Sequence, residues 1–590
     1  MKRGLFDTFY SLSDESFHII SDNDALTSVL NDINMYPKVC LDIETTALRP
    51  HDLNAQIIGI GLTADRQKTY YIDLTKFDRD FYEKFNVFLK NKSVVGQGIK
   101  FDLKFLLHNK VESRGVFFDT LVASQILEAD HDGHALDELV ARHMPHVDAG
   151  WKRKFKEELK KRDNDIRSMP INFVADYCCK DTKYTYELYK ILFKKASKDS
   201  LLSLLNNLEF PLVNVVANME LKGMCIDVEY LSSLRSKYSS ELDKLEQIVY
   251  KEAGEEFDIG SSQQLANILI KNFQINLPMT NKNNYSTDEK VLSGLRKHHK
   301  IIDHILSYRE YAKLLSTYVN GFLARVDSDG RMRTEFVQNE ARTHRFSSKN
   351  PNFQNIPVRN TGEIRNSFIA PHGYSLLSKD YSQIEVRVAA WCSGDKALIS
   401  ILNSSDVYIE MAKIFMNKEE ISIKEREVTK AIVLGTMYGM GEEKFAYSLN
   451  MPLEEARDTK KQFFGKFKKL RETIYEVTNN VKKDGYIKFW SNKCLPLDPE
   501  YSFKAFNTLV QGTAADIMKS ALVKCFDMIN FKKLDCSILS TIHDELLFEG
   551  KDQTIESESE ILTDAMTDCI IPNFNIPIIV NSKVMSRWKK

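Results

Sequence analysis

The sequence has nine cysteines but no C-x-x-C pair, so it carries neither a zinc-knuckle spacing nor a thioredoxin-type redox motif. An odd count without a disulfide framework fits reduced thiols in an intracellular compartment. No apolar run approaches the roughly 18 residues of a membrane span. The start, Met1-Lys2-Arg3-Gly4-Leu5-Phe6, lacks the apolar stretch of a secretory leader. Neither sign of charge dominates, with 81 Lys and Arg against 82 Asp and Glu. That balance excludes a uniformly basic nucleic-acid binder; any such path needs its cations segregated onto one face. Low-complexity tracts and short-period repeats are also missing, which removes solenoids from consideration.

What is present is ample core. With 43% apolar and 28% charged residues, 590 residues can form roughly three to five compact units. Val39-Cys40-Leu41, Ile57 to Leu62 and Thr69 to Ile72 read as strands, and helical patterns alternate with them to about residue 195. That alternation predicts an α/β domain. Leu201 to Lys222 reads as helix, Gly223 closes it, and Ile226-Asp227-Val228 starts another element. Residues 229–325 read as helical with a break at Leu277 to Asn284. Strands return after Arg331, helices dominate from 396 to 485, and the last stretch mixes both. Boundaries are expected near 195–200 and 330. The charge-dense run Trp151 to Arg162 reads either as a solvated helix face laced with i,i+4 ion pairs or as a nucleic-acid contact.

Asp380-Tyr381-Ser382-Gln383-Ile384-Glu385 follows the apolar run Tyr374 to Ser378, so Asp380 stands where a buried strand ends. Ser537 to Phe548 reads as two strands meeting at a His543-Asp544 turn. If these segments pair, Asp380 and Asp544 become neighbours. Two close carboxylates repel unless they share a proton or bind a cation. Mg²⁺ suits such oxygen ligands and is commonly shared with substrate phosphates. Arg426, Lys430, Leu434 and Tyr438 are spaced by four and form one winding helical stripe of about 18 Å. Two cations at one end could hold a triphosphate, and an aromatic at the other could stack near a base. Gly439 would let another group approach the backbone closely. Taken alone, Arg426 and Lys430 could equally be ordinary surface cations.

In combination these segments resemble DNA polymerase family A. Arg426-x-x-x-Lys430-x-x-x-Leu434-x-x-x-Tyr438-Gly439 is similar to its fingers-helix motif, Asp380 to Glu385 to its first palm motif, and His543-Asp544-Glu545 to its second. Arg345-Phe346-Ser347-Ser348, Pro351 to Arg359, and Gln511-Gly512-Thr513-Ala514-Ala515-Asp516 resemble further signatures, in the family's order. The resemblance implies a right-hand polymerase domain over 198–590. Its thumb would run from about 200 to 330, its palm over 331–400 and 515–590, and its fingers over 401–514. It implies that Asp380 and Asp544 hold two Mg²⁺, for which Mn²⁺ can substitute. Lys430 and Arg426 would neutralise the triphosphate, with Lys430 the proton donor to pyrophosphate. Leu434, Tyr438 and His543 would complete the dNTP site, with Glu385 and Tyr438 blocking a ribose 2′-hydroxyl. Arg345, Gln511 and Asn507 would contact the primer-template duplex. Glu545 could instead be only a strand-end charge. Two positions depart from the family: Leu434 replaces an aromatic, and His344 replaces a glycine.

Nearer the start, Asp42 and Glu44 are two apart on a strand and share a face. Tyr177 and Asp181 are four apart on a helical pattern. Asp102 follows Gly96-Gln97-Gly98-Ile99-Lys100-Phe101. By composition alone these could be scattered surface acids. Their order, D-x-E, then Phe-Asp, then Y-x-x-x-D, resembles the 3′–5′ proofreading exonucleases. The resemblance implies an α/β ribonuclease H-like domain over 1–197. Asp42, Glu44, Asp102 and Asp181 would hold two divalent metals, and Tyr177 would orient the attacking water. Leu48 would wedge against the terminal base and Thr45 would contact the terminal sugar. Gly98 departs from an expected asparagine.

The resemblance extends from about residue 35 onward and matches the large-fragment form of the family, without the 5′-nuclease domain many members carry. Expected partners are primer-template DNA and dNTPs, with no membrane, a monomeric state, and a helicase or primase as associate. The Asn- and Lys-rich texture implies an AT-rich genome. With Leu434 it resembles the plastid branch of the family that serves the apicoplast; a bacterial repair enzyme is the alternative, as is an exonuclease on an inactive polymerase scaffold.

Overall fold

The structure, a computed structural model, describes residues 14–65, 68–280, 283–357, 362–416, 418–449 and 451–589. It divides into two compact units: one of residues up to 222, 336–347 and 377–584, the other of 223–335, 348–376 and 585 onward. Among the described residues no single helix is long and apolar enough to cross a membrane.

In the first unit, six strands form a mixed sheet: β1 (Phe17–Ile20), β2 (Lys38–Thr45), β3 (Ile57–Thr63), β4 (Thr69–Asp73), β5 (Ser93–Gly96) and β6 (Gly115–Asp119). Their order is β1-β4-β3-β2-β5-β6, with β2 antiparallel to β3 and parallel to β5. Val39, Leu41, Ile60, Leu62 and Ile72 are fully buried, as expected of central strands covered on both faces. The helix Ile171–Lys198 packs against β2, β3 and β4 and brings Tyr177 and Asp181 within electrostatic reach of Asp42 and Glu44 on β2. The strands read from sequence at 39–41, 57–62 and 69–72 are all present.

A second sheet in this unit takes the order Cys536–Ile542, Glu545–Lys551, Tyr374–Tyr381, Val580–Met585. Its first two strands are a hairpin in which Ile542 pairs with Glu545. Such a two-residue loop needs a positive φ, and His543 supplies it at 55°. Leu377, Leu546, Phe548 and Leu522 lie in the core beneath.

The helix Phe210–Lys222, expected at the start of a thumb, belongs to the first unit. Phe210, Val213 and Ala217 join the core of the six-stranded sheet, while Leu212, Val215, Val216 and Met219 join the core of the four-stranded one. A helix apolar on nearly every side must be covered on more than one face, which is the physical reason it lies between the two cores of this unit.

In the second unit the helices Val228–Ala253 and Ile301–Lys313 pack together, with Val249, Leu265, Leu269, Ile301 and Ile305 in the core. Asp227 caps the first of them by accepting from the Tyr230 N–H at 2.9 Å. The strands Phe368–Ile369, Met224–Ile226 and Arg331–Met332 form a small sheet. Of the Pro351-to-Arg359 motif, Phe353 is buried here, and Val358 and Arg359 lie outside the described residues.

Candidate active sites

The four-stranded sheet brings the first carboxylate pair together. Asp380 is the next-to-last residue of its strand, and the following Tyr381 N–H donates to the Asp544 carbonyl at 3.0 Å. Both aspartates are half-buried, at the ends of neighbouring strands. His543 is exposed. Glu545 is more than a strand-end charge: it is buried and accepts from Ser378 Oγ at 2.5 Å, tying the hairpin to the Asp380 strand.

The helix Ile423–Met437 starts with a capping box, Ser422 and Glu425 each accepting from the other's N–H. Lys430 is exposed, and Leu434 and Tyr438 are half-buried. Arg426 pairs with Asp406, Nη2 to Oδ2 being 2.6 Å. At the far end the Tyr438 hydroxyl donates to Glu385 Oε2, and the Arg345 guanidinium pairs with Glu385 Oε1. Glu385 thus holds the two residues the sequence assigned separately to nucleotide and duplex. Burial raises its carboxyl above the ordinary range, Arg345 pulls it back, and Asp544 adds to the rise. Gly439 has φ of 71°, and a Cβ there would stand 3.2 Å from the Phe503 carbonyl oxygen. The close approach expected there is made by the chain's own backbone.

Gln511 and Asn507 lie half-buried on the helix Ala505–Lys532, where Asn507 Oδ1 is buried without a hydrogen-bond partner. His344 is buried with φ of 55°, a backbone conformation that would suit the glycine expected at this place. Burial, with Lys493 and Lys519 nearby, holds its imidazole well below its usual pKa and therefore neutral.

The six-stranded sheet gathers the second cluster. Asp42 and Glu44 project from β2, Asp102 from the helix Lys100–His108, and Asp181 from the long helix. Asp102 Oδ1 accepts from the Ile43 N–H at 2.9 Å. Burial and then the Asp181 charge push Asp42 up to about 7, against the pull of Lys152. Glu44 rises further, from burial first and then from Asp42 and Asp181. Burial and Asp42 likewise raise Asp102. Only a cation relieves such a cluster without protonating it, so these residues fit divalent metal.

Two residues here escaped the sequence. Trp151 Nε1 donates to Asp181 Oδ1 at 2.6 Å, and the Lys152 ammonium pairs with Asp181 Oδ2 while reaching the Tyr177 hydroxyl at 3.2 Å. Both come from the charge-dense helix Trp151–Lys160, so the solvated-face reading fails at its first turn. The i,i+4 pair Trp151 and Phe155, both buried, marks which face turns inward; nothing in the sequence distinguishes Lys152 from Lys154. Tyr177 stacks on Phe155 at 3.8 Å between ring centroids. Leu48 is 81% exposed on the loop after β2, and Thr45 Oγ1 donates to the Ala47 carbonyl at 2.7 Å. Gly98 has φ of 64°, a region that glycine and asparagine both enter readily, so its departure from asparagine keeps the backbone shape.

Comparison with known proteins identifies the two domains. The family described as DNA polymerase family A matches residues 228–590, and the one described as 3′-5′ exonuclease matches residues 17–197. DNA polymerase I of Borreliella burgdorferi is 30% identical over 589 residues, covering 95% of this chain and 63% of that protein. The thermostable DNA polymerase I of Thermus aquaticus is 35% identical over 412 residues, covering 66% of this chain and 49% of its own. The chain spans about three fifths of the length of the first curated relatives it matches. A solved structure, the POL domain of Pol1 from M. smegmatis in complex with DNA primer-template and dNTP, superposes with a TM-score of 0.85 at 25% identity, covering 97% of this chain and 99% of that one. The chain belongs to DNA polymerase family A and joins to that polymerase domain a 3′–5′ exonuclease domain.

Proposed function

We propose that this chain copies DNA, adding dNTPs to a primer 3′ end on a template strand, and trims mispaired 3′ ends at its second site. The observation that carries the reading is the Asp380–Asp544 pair, with Glu385 binding both Arg345 and the last residue of the Arg426–Tyr438 stripe. Mg²⁺ ions held by Asp380 and Asp544 would activate the primer hydroxyl and neutralise the leaving pyrophosphate. The chain's own residues position the reactants. Lys430 meets the triphosphate as a mobile point charge and gives a proton to the departing pyrophosphate; Arg426 adds a second cation once it leaves Asp406. Glu385 and Tyr438, bonded to each other, wall off the space of a 2′-hydroxyl. Leu434 offers the sugar an apolar side without a ring. Arg345, Gln511 and Asn507 attend the duplex, whose minor-groove acceptors are common to all base pairs, while His543 borders the incoming nucleotide.

At the exonuclease centre Asp42, Glu44, Asp102 and Asp181 would hold divalent metal, Tyr177 would orient water, Leu48 would wedge under the terminal base and Thr45 would meet its sugar. The Asn- and Lys-rich texture and Leu434 are what support replication of an organellar genome of the apicoplast type; a monomeric state and a helicase or primase as associate are further parts of the proposal. Imaging of a tagged chain in its host tests that location against the bacterial cytoplasm.

Primer extension with Mg²⁺ and dNTPs tests the central reading. Wild type should extend, and Asp544→Ala should lose about a thousandfold in rate. Equal extension by the variant removes the polymerase assignment and leaves an exonuclease on an inert scaffold.

A further inference from the structure

One thiol faces the exonuclease carboxylates. Cys178 follows Tyr177 on the long helix and is fully buried, with Sγ 3.6 Å from Asp42 Oδ2. One oxygen from each of Asp42 and Glu44, together with that sulfur, lie within 4.8 Å of one another. Asp181 stands outside this set, its two oxygens taken by Trp151 and Lys152. Glu44 is only 8% exposed, and burial with the Asp42 and Asp181 charges raises its carboxyl against the pull of Lys152, so it would gain from a cation placed in this set.

Two oxygens and a sulfur are not the donors a hard ion selects. Mg²⁺ takes oxygen ligands, whereas thiolate selects zinc and softer ions. Zinc accepts carboxylate oxygen at about 2.0–2.2 Å and thiolate at about 2.3 Å in a four-coordinate shell. Three donors at the observed separations need only small side-chain adjustments to close on one such ion.

We propose that the exonuclease centre has a second metal state, in which Asp42, Glu44 and Cys178 bind one thiophilic divalent ion of the zinc class and withdraw the centre from 3′ trimming. On binding, the Cys178 sulfur gives its proton to solvent and its electron pair to the ion, so no oxidant or reductant takes part. Trimming stops because Asp42 and Glu44 are taken up by this ion and are no longer shared with Asp102 and Asp181. The inhibitory part rests on the exonuclease reading given above.

Cadmium is the probe, because its charge-transfer absorption with thiolate reports the metal–sulfur bond without any DNA. Titration of the whole chain with Cd²⁺ in excess Mg²⁺ should produce one equivalent more of this absorption in wild type than in Cys178→Ser. The other free cysteines contribute equally to both proteins. Cys178→Ala, smaller and apolar, repeats the comparison free of any effect of the serine hydroxyl. Equal absorption in wild type and both variants overturns the proposal. In 3′ trimming with Mg²⁺, half-inhibition by Zn²⁺ should require at least about tenfold more ion in the variants, on the scale of removing one support from a metal site. Unchanged half-inhibition overturns the inhibitory part. A wild type that trims nothing overturns the exonuclease reading alone, since the cadmium absorption is measured without substrate.

Discussion

The exonuclease centre gathers four carboxylates over a sheet and two helices, three of them buried, whereas the polymerase centre holds two half-buried aspartates at neighbouring strand ends. In the first, burial is the leading cause of every raised carboxyl, and the fold supplies its own cation in Lys152. In the second, the cations sit on a separate helix and one of them, Arg426, is parked on Asp406. A buried cluster is preset by its surroundings, while an open pair leaves its charge balance to what arrives. Proofreading and synthesis should therefore fail differently when single residues are changed.

The sharpest break of this comparison removes one centre and keeps the other. Asp42→Asn with Glu44→Gln should cut 3′ trimming by about a thousandfold and leave primer extension intact. Persistent trimming, followed on a single-stranded oligonucleotide, would place the nuclease elsewhere. Lys152→Met tests whether the built-in cation matters. Trimming should fall about 10–100-fold, as when the residues that orient metal ligands are lost, with Lys152→Arg restoring part of it. A rate equal to wild type would reduce Lys152 to a bystander.

On the polymerase side, Glu385→Ala releases Arg345 and Tyr438 together. Discrimination between dNTP and NTP should drop about tenfold or more in single-nucleotide insertion, because an unfilled polar gate no longer rejects the extra hydroxyl. The smallest effect concerns Lys379, fully buried next to Asp380 and donating to Thr563 and Ser582 hydroxyls. Burial lowers its ammonium from 10.5 to about 8. The unfolded chain therefore binds that proton more strongly between those values, and stability rises with pH across the window, by at most about 1.4 kcal/mol per unit. Urea denaturation should show this slope flattened in Lys379→Met, with a gain of about 1 kcal/mol at neutral pH.

The strand ends at Asp380 and Asp544 were legible because apolar runs stop there, and the stripe from Arg426 to Tyr438 because helical spacing alone puts it on one face. The four exonuclease carboxylates were legible as an ordered pattern. Lys152 was not, since a lysine among lysines carries no mark of where its helix will dock. Nor was the double role of Glu385, because Arg345 and Tyr438 reach it from positions 40 and 53 residues away. Sequence spacing reads faces of single elements well; it is blind to pairings that only tertiary packing creates.

The helix Phe210–Lys222 also carries Glu220, which accepts from Lys100 at 2.6 Å and from the Phe336 N–H at 2.7 Å, and pairs with Lys104 at 2.8 Å. Lys100 and Lys104 flank Asp102 on their helix, and Phe336 opens the segment that leads to Arg345. A fragment cut at the end of the exonuclease match would strip this helix from its sheet and leave an apolar groove facing water. The two sheets that carry the two carboxylate centres thus share one keel, a single helix packed into both cores.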